Sequence, residues 1–388
     1  MASHLHYAER TMPIKILLLS TLFTLTLFST SNESKVCQKC HPVIYEEYYD
    51  SSHRKASVYN NPIHKAYWDK HPKDERGYTC AKCHSPTDKH AVETGVLTDN
   101  TIQREEPISC VYCHTIKDVD QGEMSNTNIS TGKKREFFTA EKSKKGSKTA
   151  AFETESSWFG LVKTSKSSPY HKIDYNNENY YNGNVCMGCH SHTNNEHDFD
   201  VVMLDAMISK DDKNSCVTCH MPQVMGSKVT LSDSKTHAYH GIAGIYHMNS
   251  EMGKYIDFDV TQEAKGFSVT VINTSNHALF GQALRQGELK ATILRDKKEI
   301  ALRPYVFTRV LAKDGKESMP WHANETLKDT LIYAKKKVTF DTKLQKGDTL
   351  LLTLGVRLLT PKGVQALGLE KSREVTKFRT LKTEKFHF

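Results

Sequence analysis

The chain has 388 residues, 53 lysines and arginines against 45 aspartates and glutamates, and a formal net charge of +8. That length suits two domains. All 10 cysteines fall in one repeated motif, which leaves no thiol for a disulfide scaffold or a cysteine nucleophile.

In chain order, residues 1–31 read as a signal peptide. Ile16 to Phe28 form a short apolar run behind Lys15, and Ser29, Thr30 and Ser31 supply small residues for cleavage. The run is shorter than the about 20 residues that a membrane span needs. Met12-Pro13-Ile14-Lys15 makes an ordinary start to such a leader, so translation is expected to begin at Met12. An uncleaved N-terminal anchor is the rival reading, because the small-residue site lacks alanine. No later segment is apolar enough to cross a membrane.

From residue 32 to residue 254 the chain carries five Cys-x-x-Cys pairs, each running directly into histidine. They are Cys37/Cys40/His41, Cys80/Cys83/His84, Cys110/Cys113/His114, Cys186/Cys189/His190 and Cys216/Cys219/His220. Two thiols three positions apart can reach both vinyl groups on one edge of a haem, and the adjacent imidazole then supplies the proximal nitrogen to iron. Zinc sites and disulfides also use cysteine pairs, but neither calls for a histidine directly after every pair. Five covalently attached haem c groups are therefore expected. Such attachment follows export, so motifs and leader agree on a periplasmic protein. Ten propionate carboxylates would need basic neighbours, which accounts for the positive charge without a nucleic-acid partner.

The motifs are unevenly spaced. The 71 residues between His114 and Cys186 hold Lys133, Lys134, Arg135, Lys142, Lys144, Lys145 and Lys148. This stretch reads as a solvated loop, with a docking patch for an acidic redox partner as the functional alternative. Long apolar runs are few throughout residues 32–254, so haem must replace much of an ordinary core. The expected architecture is a mainly α, loop-rich multihaem cytochrome c domain.

Beyond Lys254 the texture alternates. Phe267–Val271, Leu289–Ile293, Val338–Phe340 and Leu350–Leu354 read as strands, separated by turns at Lys313–Lys316, Lys346–Asp348 and Pro361–Gly363. Residues 255–388 are expected to form an all-β, sandwich-like domain, and a docking role for it is one reading.

Iron closed by two axial ligands only passes electrons, whereas an open face can bind a small molecule. Setting aside the proximal residues and His4 and His6, 13 histidines remain for five distal positions. Counting alone therefore exposes no open site. His192 and His197, with Tyr180, Tyr181 and Asp198 near them in sequence, could deliver protons in an enzyme, although one ligand among polar loop residues is the simpler reading. Tyr175, Tyr180 and Tyr181 are expected against porphyrin faces, with hydroxyls towards water or propionate.

Several segments resemble the multihaem cytochromes of the cytochrome c-554 type. They are Ser52-His53, the run from Cys80 through Ser85-Pro86, Ser168-Pro169-Tyr170-His171-Lys172, and Cys216 through Met221-Pro222. The resemblance spans most of residues 36–285. Thr236-His237-Ala238-Tyr239-His240-Gly241 is similar to the family's His-x-Phe-x-Gly element, with tyrosine for phenylalanine. Asn273 to Leu279, continuing to Arg285, resembles the Gly-His-x-x-Pro-Thr-Gly turn, with Asn276 and Phe280 in place of glycine and proline.

The resemblance implies distal ligation by His53, His171, His237 and His277. The fifth distal ligand stays open among His64, His90, His192, His197, His240 and His247, with Met221, Met225 and Met248 as sulfur alternatives. His71, His322 and His387 are expected at the surface. No catalytic residue is assigned. The leading expectation is electron transfer between respiratory partners, namely a quinol-oxidising membrane complex, other cytochromes or a terminal reductase, with peripheral membrane association a further expectation. The alternative is an oxidoreductase acting on nitrite, hydroxylamine or tetrathionate at one open haem. Against it, all five motifs end in histidine and none in lysine.

Overall fold

A computed structural model describes residues 33–73, 76–132, 136–149, 154–157, 162–165, 170–202, 215–230 and 234–388. The expected leader, residues Lys133–Arg135 and Ser168-Pro169 lie outside them.

The first half is built of short pieces. Helix α1 (Glu33–Cys37) runs into the first motif, and α2 (Pro42–Asp50) starts at proline directly after His41. Helix α3 (Pro62–Lys70) is capped by Asn61, whose side chain accepts from the backbone N–H groups of Ile63 and His64. Motifs two, three and five each sit on one helical turn: α4 (Ala81–His84), α5 (Cys110–His114) and α6 (Cys216–His220). Ser109 and Ser215 cap the last two through their hydroxyls. A turn of helix brings cysteine, cysteine and histidine to one side, which is the arrangement the motif needs. Small two- and three-stranded ribbons fill the gaps between helices.

Apolar packing here is sparse. A cluster of Val58, Tyr78, Ala81 and Ala91 is the only buried apolar core assembled wholly from this half among the described residues. Three small residues and one tyrosine cannot hold some 200 residues together, so this half depends on something other than its own side chains.

From Ile256 onward the chain is antiparallel sheet. Strands β1 (Ile256–Gln262), β2 (Phe267–Asn273) and β9 (Lys335–Phe340) form one sheet in the order β1-β2-β9. A second has β3 (Gln286–Arg295), β4 (Lys298–Ala301), β10 (Thr349–Arg357) and β11 (Arg379–His387) in the order β4-β3-β10-β11, with β5 (Tyr305–Phe307) also on β3. A third joins β6 (Arg309–Lys313), β7 (Lys316–Glu317) and β8 (Glu325–Asp329). One core unites the first two sheets. Phe267, Val269 and Val271 meet Leu289, Ala291, Ile293, Leu350, Leu352 and Leu354, alternate residues whose period of two turns them to a single face.

All four expected strands are present, and Asp314-Gly315 makes a tight turn with both residues at positive φ. Pro361–Gly363 departs from expectation. It opens a helix (Pro361–Leu367), because the Thr360 hydroxyl accepts from the Gly363 N–H and proline suits the first helical position.

The two halves share buried surface. Ile63 and Ala66 of α3 pack against Leu359, Val364 and Leu367, and Phe199 and Val202 against Leu311 and Ala323. No helix of the described residues is long and apolar enough to cross a membrane.

Candidate haem sites

The imidazoles of the five motifs are not scattered. His41 faces His171 with ring centroids 6.2 Å apart, His190 faces His53 at 6.0 Å, His114 faces His240 at 6.3 Å and His220 faces His277 at 6.2 Å. A metal–nitrogen bond of about 2.0 Å, plus about 1.1 Å from that nitrogen to its ring centre, taken on both sides, gives about 6.2 Å. The four separations match an iron held between two histidines. Imidazoles in direct contact would sit closer.

Second contacts orient these rings. Nδ1 of His41 lies 2.7 Å from the Lys228 carbonyl, that of His114 2.8 Å from Phe138, that of His220 2.6 Å from Ala243 and that of His240 2.7 Å from Ala238. A carbonyl can only accept, so Nδ1 carries the proton and Nε2 is left with its lone pair towards the opposed ring. Burial also holds His53, His190 and His240 well below the usual histidine range, each at about 4, and lowers His114, His171 and His277. Neutral imidazole is the metal-binding form.

His84 breaks the pattern. Its Nδ1 lies 3.1 Å from the Ala56 carbonyl, but the ring beside it, His64, is at 3.9 Å and tilted by 45°. His64 Nδ1 shares the same carbonyl at 3.0 Å, and its Nε2 lies 3.3 Å from the Tyr78 hydroxyl. The two rings thus lie side by side on one carbonyl, closer than the other four pairs. Among the described residues no histidine faces His84 at the separation of the other four pairs.

His237 is a correction. Expected opposite an iron, it is instead buried with Nδ1 3.0 Å from the Gly226 carbonyl and Nε2 2.9 Å from Glu47. Both nitrogens are used, and the ring three residues on, His240, faces His114 instead. The reason is local: His237 sits in a short strand opposite Val224 and points inward, while His240 lies in the following turn. Of the other candidates, His90 is exposed, His192 turns Nε2 to the Gly122 carbonyl, and His247 lies on Asp50. His197 is at the surface near His322, and Met225 is exposed. Tyr180 and Tyr181 are buried, but their hydroxyls donate to the backbone carbonyls of Cys113 and Tyr175, not to water or an anion. They brace the loop and offer no proton path with His192.

Thiols of different motifs meet in pairs: Cys37 with Cys110, Cys83 with Cys189, and Cys186 with Cys216. Motifs one and three, two and four, and four and five therefore share edges. Gly183 allows the last approach, since a side chain there would lie 2.8 Å from the Cys216 nitrogen.

Cys219 differs from these thiols. Its side chain lies in hydrogen-bond contact with the Tyr255 hydroxyl, which burial and this thiol together push up to about 12. The physical reason is tertiary: the helical turn Gly253–Tyr255, which leads into β1, brings the tyrosine onto the fifth motif. Cys219 still shares the α6 turn with Cys216 and His220, its N–H donating to the Ser215 carbonyl at 3.1 Å. Its backbone therefore suits the thioether attachment that the motif implies.

The fit extends to charge. Buried Nε atoms of Arg54 and Arg285 have no hydrogen-bond partner among the described residues, and burial pulls Arg285 down to about 10. Guanidinium groups in this state await an anion, and haem propionates are anions. The expected basic docking patch fares less well: Lys144 pairs with Glu141, Lys145 with Glu178 and Lys148 with Asp174, which cancels most of its described charge.

Residues 36–115, which hold the first three motifs, match the family model described as cytochrome c554 and c-prime. Over that segment the chain is similar to the multihaem c-type cytochromes. Its fold is similar to that of a penta-heme cytochrome c552 from Thermochromatium tepidum, with 20% identity, coverage of 92% of this chain and 98% of that one, and a TM-score of 0.67. A match to the curli protein CsgC of E. coli, at 15% identity over 26% of this chain and 82% of that one, has a TM-score of 0.15 and bears on nothing here. No curated protein matches this cytochrome significantly.

Proposed function

We propose that this cytochrome carries five haem c groups, one on each Cys-x-x-Cys-His motif, and passes electrons along them between respiratory partners in the periplasm. The observation that carries the reading is the set of four imidazole pairs at 6.0 to 6.3 Å. In this reading the pairs are His41/His171, His114/His240, His190/His53 and His220/His277, and each closes both faces of one iron. When bound, haem supplies the one-electron couple. The chain orients His41, His114, His220 and His240 through their Nδ1 contacts and brings thiols of different motifs together, which favours a route linking motifs one and three and motifs two, four and five. Exported location, the leader at 1–31, the division near residue 254, and a quinol-oxidising complex, another cytochrome or a terminal reductase as partners belong to this proposal. Peripheral membrane association does too.

His84 supports a second reading at that one position. An imidazole without an opposed histidine leaves an iron face free for a small ligand, which is what a reductase of nitrite, hydroxylamine or tetrathionate requires. Carbon monoxide titration of the fully reduced protein, normalised to haem by pyridine haemochrome, tests both readings. Five haems per chain with one binding CO is the expected result. Fewer than five haems overturns the stoichiometry. Several CO-binding haems overturn the pairing, and none at all removes the second reading.

A further inference from the structure

Away from the haem motifs, two loops from different halves of the molecule bring Glu196, His197 and His322 together at the surface. Their ligating atoms all lie within 4.8 Å of one another, and His197 Nε2 is 3.9 Å from Glu196 Oε1. We propose that these three side chains form a binding site for one divalent transition-metal cation of the zinc class.

The donor set decides the chemistry. Two imidazole nitrogens and one carboxylate oxygen suit zinc and its borderline neighbours, and a fourth, water-filled position completes a tetrahedron. Donors about 2.0 Å from a tetrahedral ion stand about 3.3 Å apart. Exposed side chains close the small difference by rotation, whereas the backbones beneath them are fixed. Asn195 provides that fixing. Its side-chain amide donates to the carbonyls of Pro320, at 2.8 Å, and Ala323, at 2.6 Å, which flank His322. Its carbonyl oxygen accepts from the N–H groups of His197, at 2.9 Å, and Phe199, at 3.2 Å. One residue therefore sets both ligand-bearing turns.

The floor is equally firm. Phe199 and Val202 pack on Leu311 and Ala323, Arg309 donates to the Asp200 carbonyl at 2.8 Å, and buried Trp321 seats the second turn against Tyr67 at 4.7 Å. The neighbouring carboxylate of Asp198 is engaged by Asn194 at 2.9 Å and stands outside the set. Because one ligand loop belongs to the haem-bearing half and the other to the β half, a bound ion clips the two together.

Zinc chloride titrated into the haem-loaded full chain by isothermal calorimetry tests the site. One equivalent is expected to bind, and His197→Ala and His322→Ala are each expected to weaken it at least roughly tenfold, while His90→Ala, at an exposed position elsewhere, leaves it unchanged. With copper(II) in place of zinc, an electron paramagnetic resonance signal with nitrogen splitting is expected, lost in the double variant. The proposal is overturned if the wild-type chain binds no zinc at this stoichiometry, or if both histidine variants bind it as tightly as the wild type. Haem content and the Soret spectrum of each variant identify any that has lost its fold, and Asn195→Ala, which removes the brace and no ligand, is expected to weaken binding less than either histidine variant.

Discussion

His237 and His240 stand three residues apart and are expected to respond to alanine in opposite ways. His240→Ala removes the ring 6.3 Å from His114, so the reduced protein should bind one more equivalent of CO than the wild type, with little other change. His237→Ala removes no opposed ring. It deletes hydrogen bonds to the Gly226 carbonyl, at 3.0 Å, and to Glu47 Oε1, at 2.9 Å, and leaves a largely buried carboxylate with one partner fewer. The lost bond to Gly226 costs about 1 kcal/mol and the stranded Glu47 oxygen about 1–3 kcal/mol, which places the loss of stability near 2–4 kcal/mol. Glu47 also accepts from the His240 N–H at 2.8 Å, so the ligand turn should loosen without opening. Urea unfolding followed by far-ultraviolet circular dichroism, with CO binding read in the Soret band of the same samples, separates the two variants. An additional CO-binding haem in His237→Ala but not in His240→Ala would refute the assignment.

Gly183→Ala places a methyl against Cys216 at a residue with φ of +82°. It is expected to cost about 1–2 kcal/mol for the left-handed backbone alone, with lowered haem occupancy at motifs four and five by peptide mass spectrometry. In the β half, the Arg295 guanidinium grips buried Asp348 at 2.9 and 2.7 Å and lowers its pKa. A carboxylate with a depressed folded pKa stabilises above its unfolded value, near 3.9, and loses that contribution as pH falls through the folded value. Asp348→Asn should therefore melt below the wild type at pH 7, with the gap narrowing as pH drops below about 4. Arg285→Gln removes a half-buried positive charge, so one step of a spectroelectrochemical titration should shift to lower potential. An unchanged titration would place this guanidinium away from every haem.

Motif chemistry lies in covalent spacing, which survives any fold. Cys-x-x-Cys-His therefore pointed to the cofactor class and the proximal residues, and the scarcity of apolar runs to a first half with little core of its own. Alternation of Phe267–Val271 and Leu350–Leu354 likewise made the β half legible, because a period of two is a property of the strand itself. Pro361–Gly363 was misread because a Thr-Pro-x-Gly segment serves a turn and a helix start equally well until its neighbours choose.

Distal partners are another matter. His53 lies 13 residues after Cys40 yet faces His190, and His171 faces His41 across 130 positions. Nothing local encodes such pairings, nor the contact of Cys219 with Tyr255. They arise when separate segments converge, which is also why His237 and His240 could not be told apart along the chain, and why His322 looked like an ordinary surface residue until the turn at Asn195 was found beside it. The spacing of the motifs alone pointed to haem and to the thiols and imidazoles proposed to hold it. Only the tertiary structure decided which imidazole meets which, and among the described residues it set no histidine some 6 Å from His84, because such opposition is a relation between segments that no single segment contains.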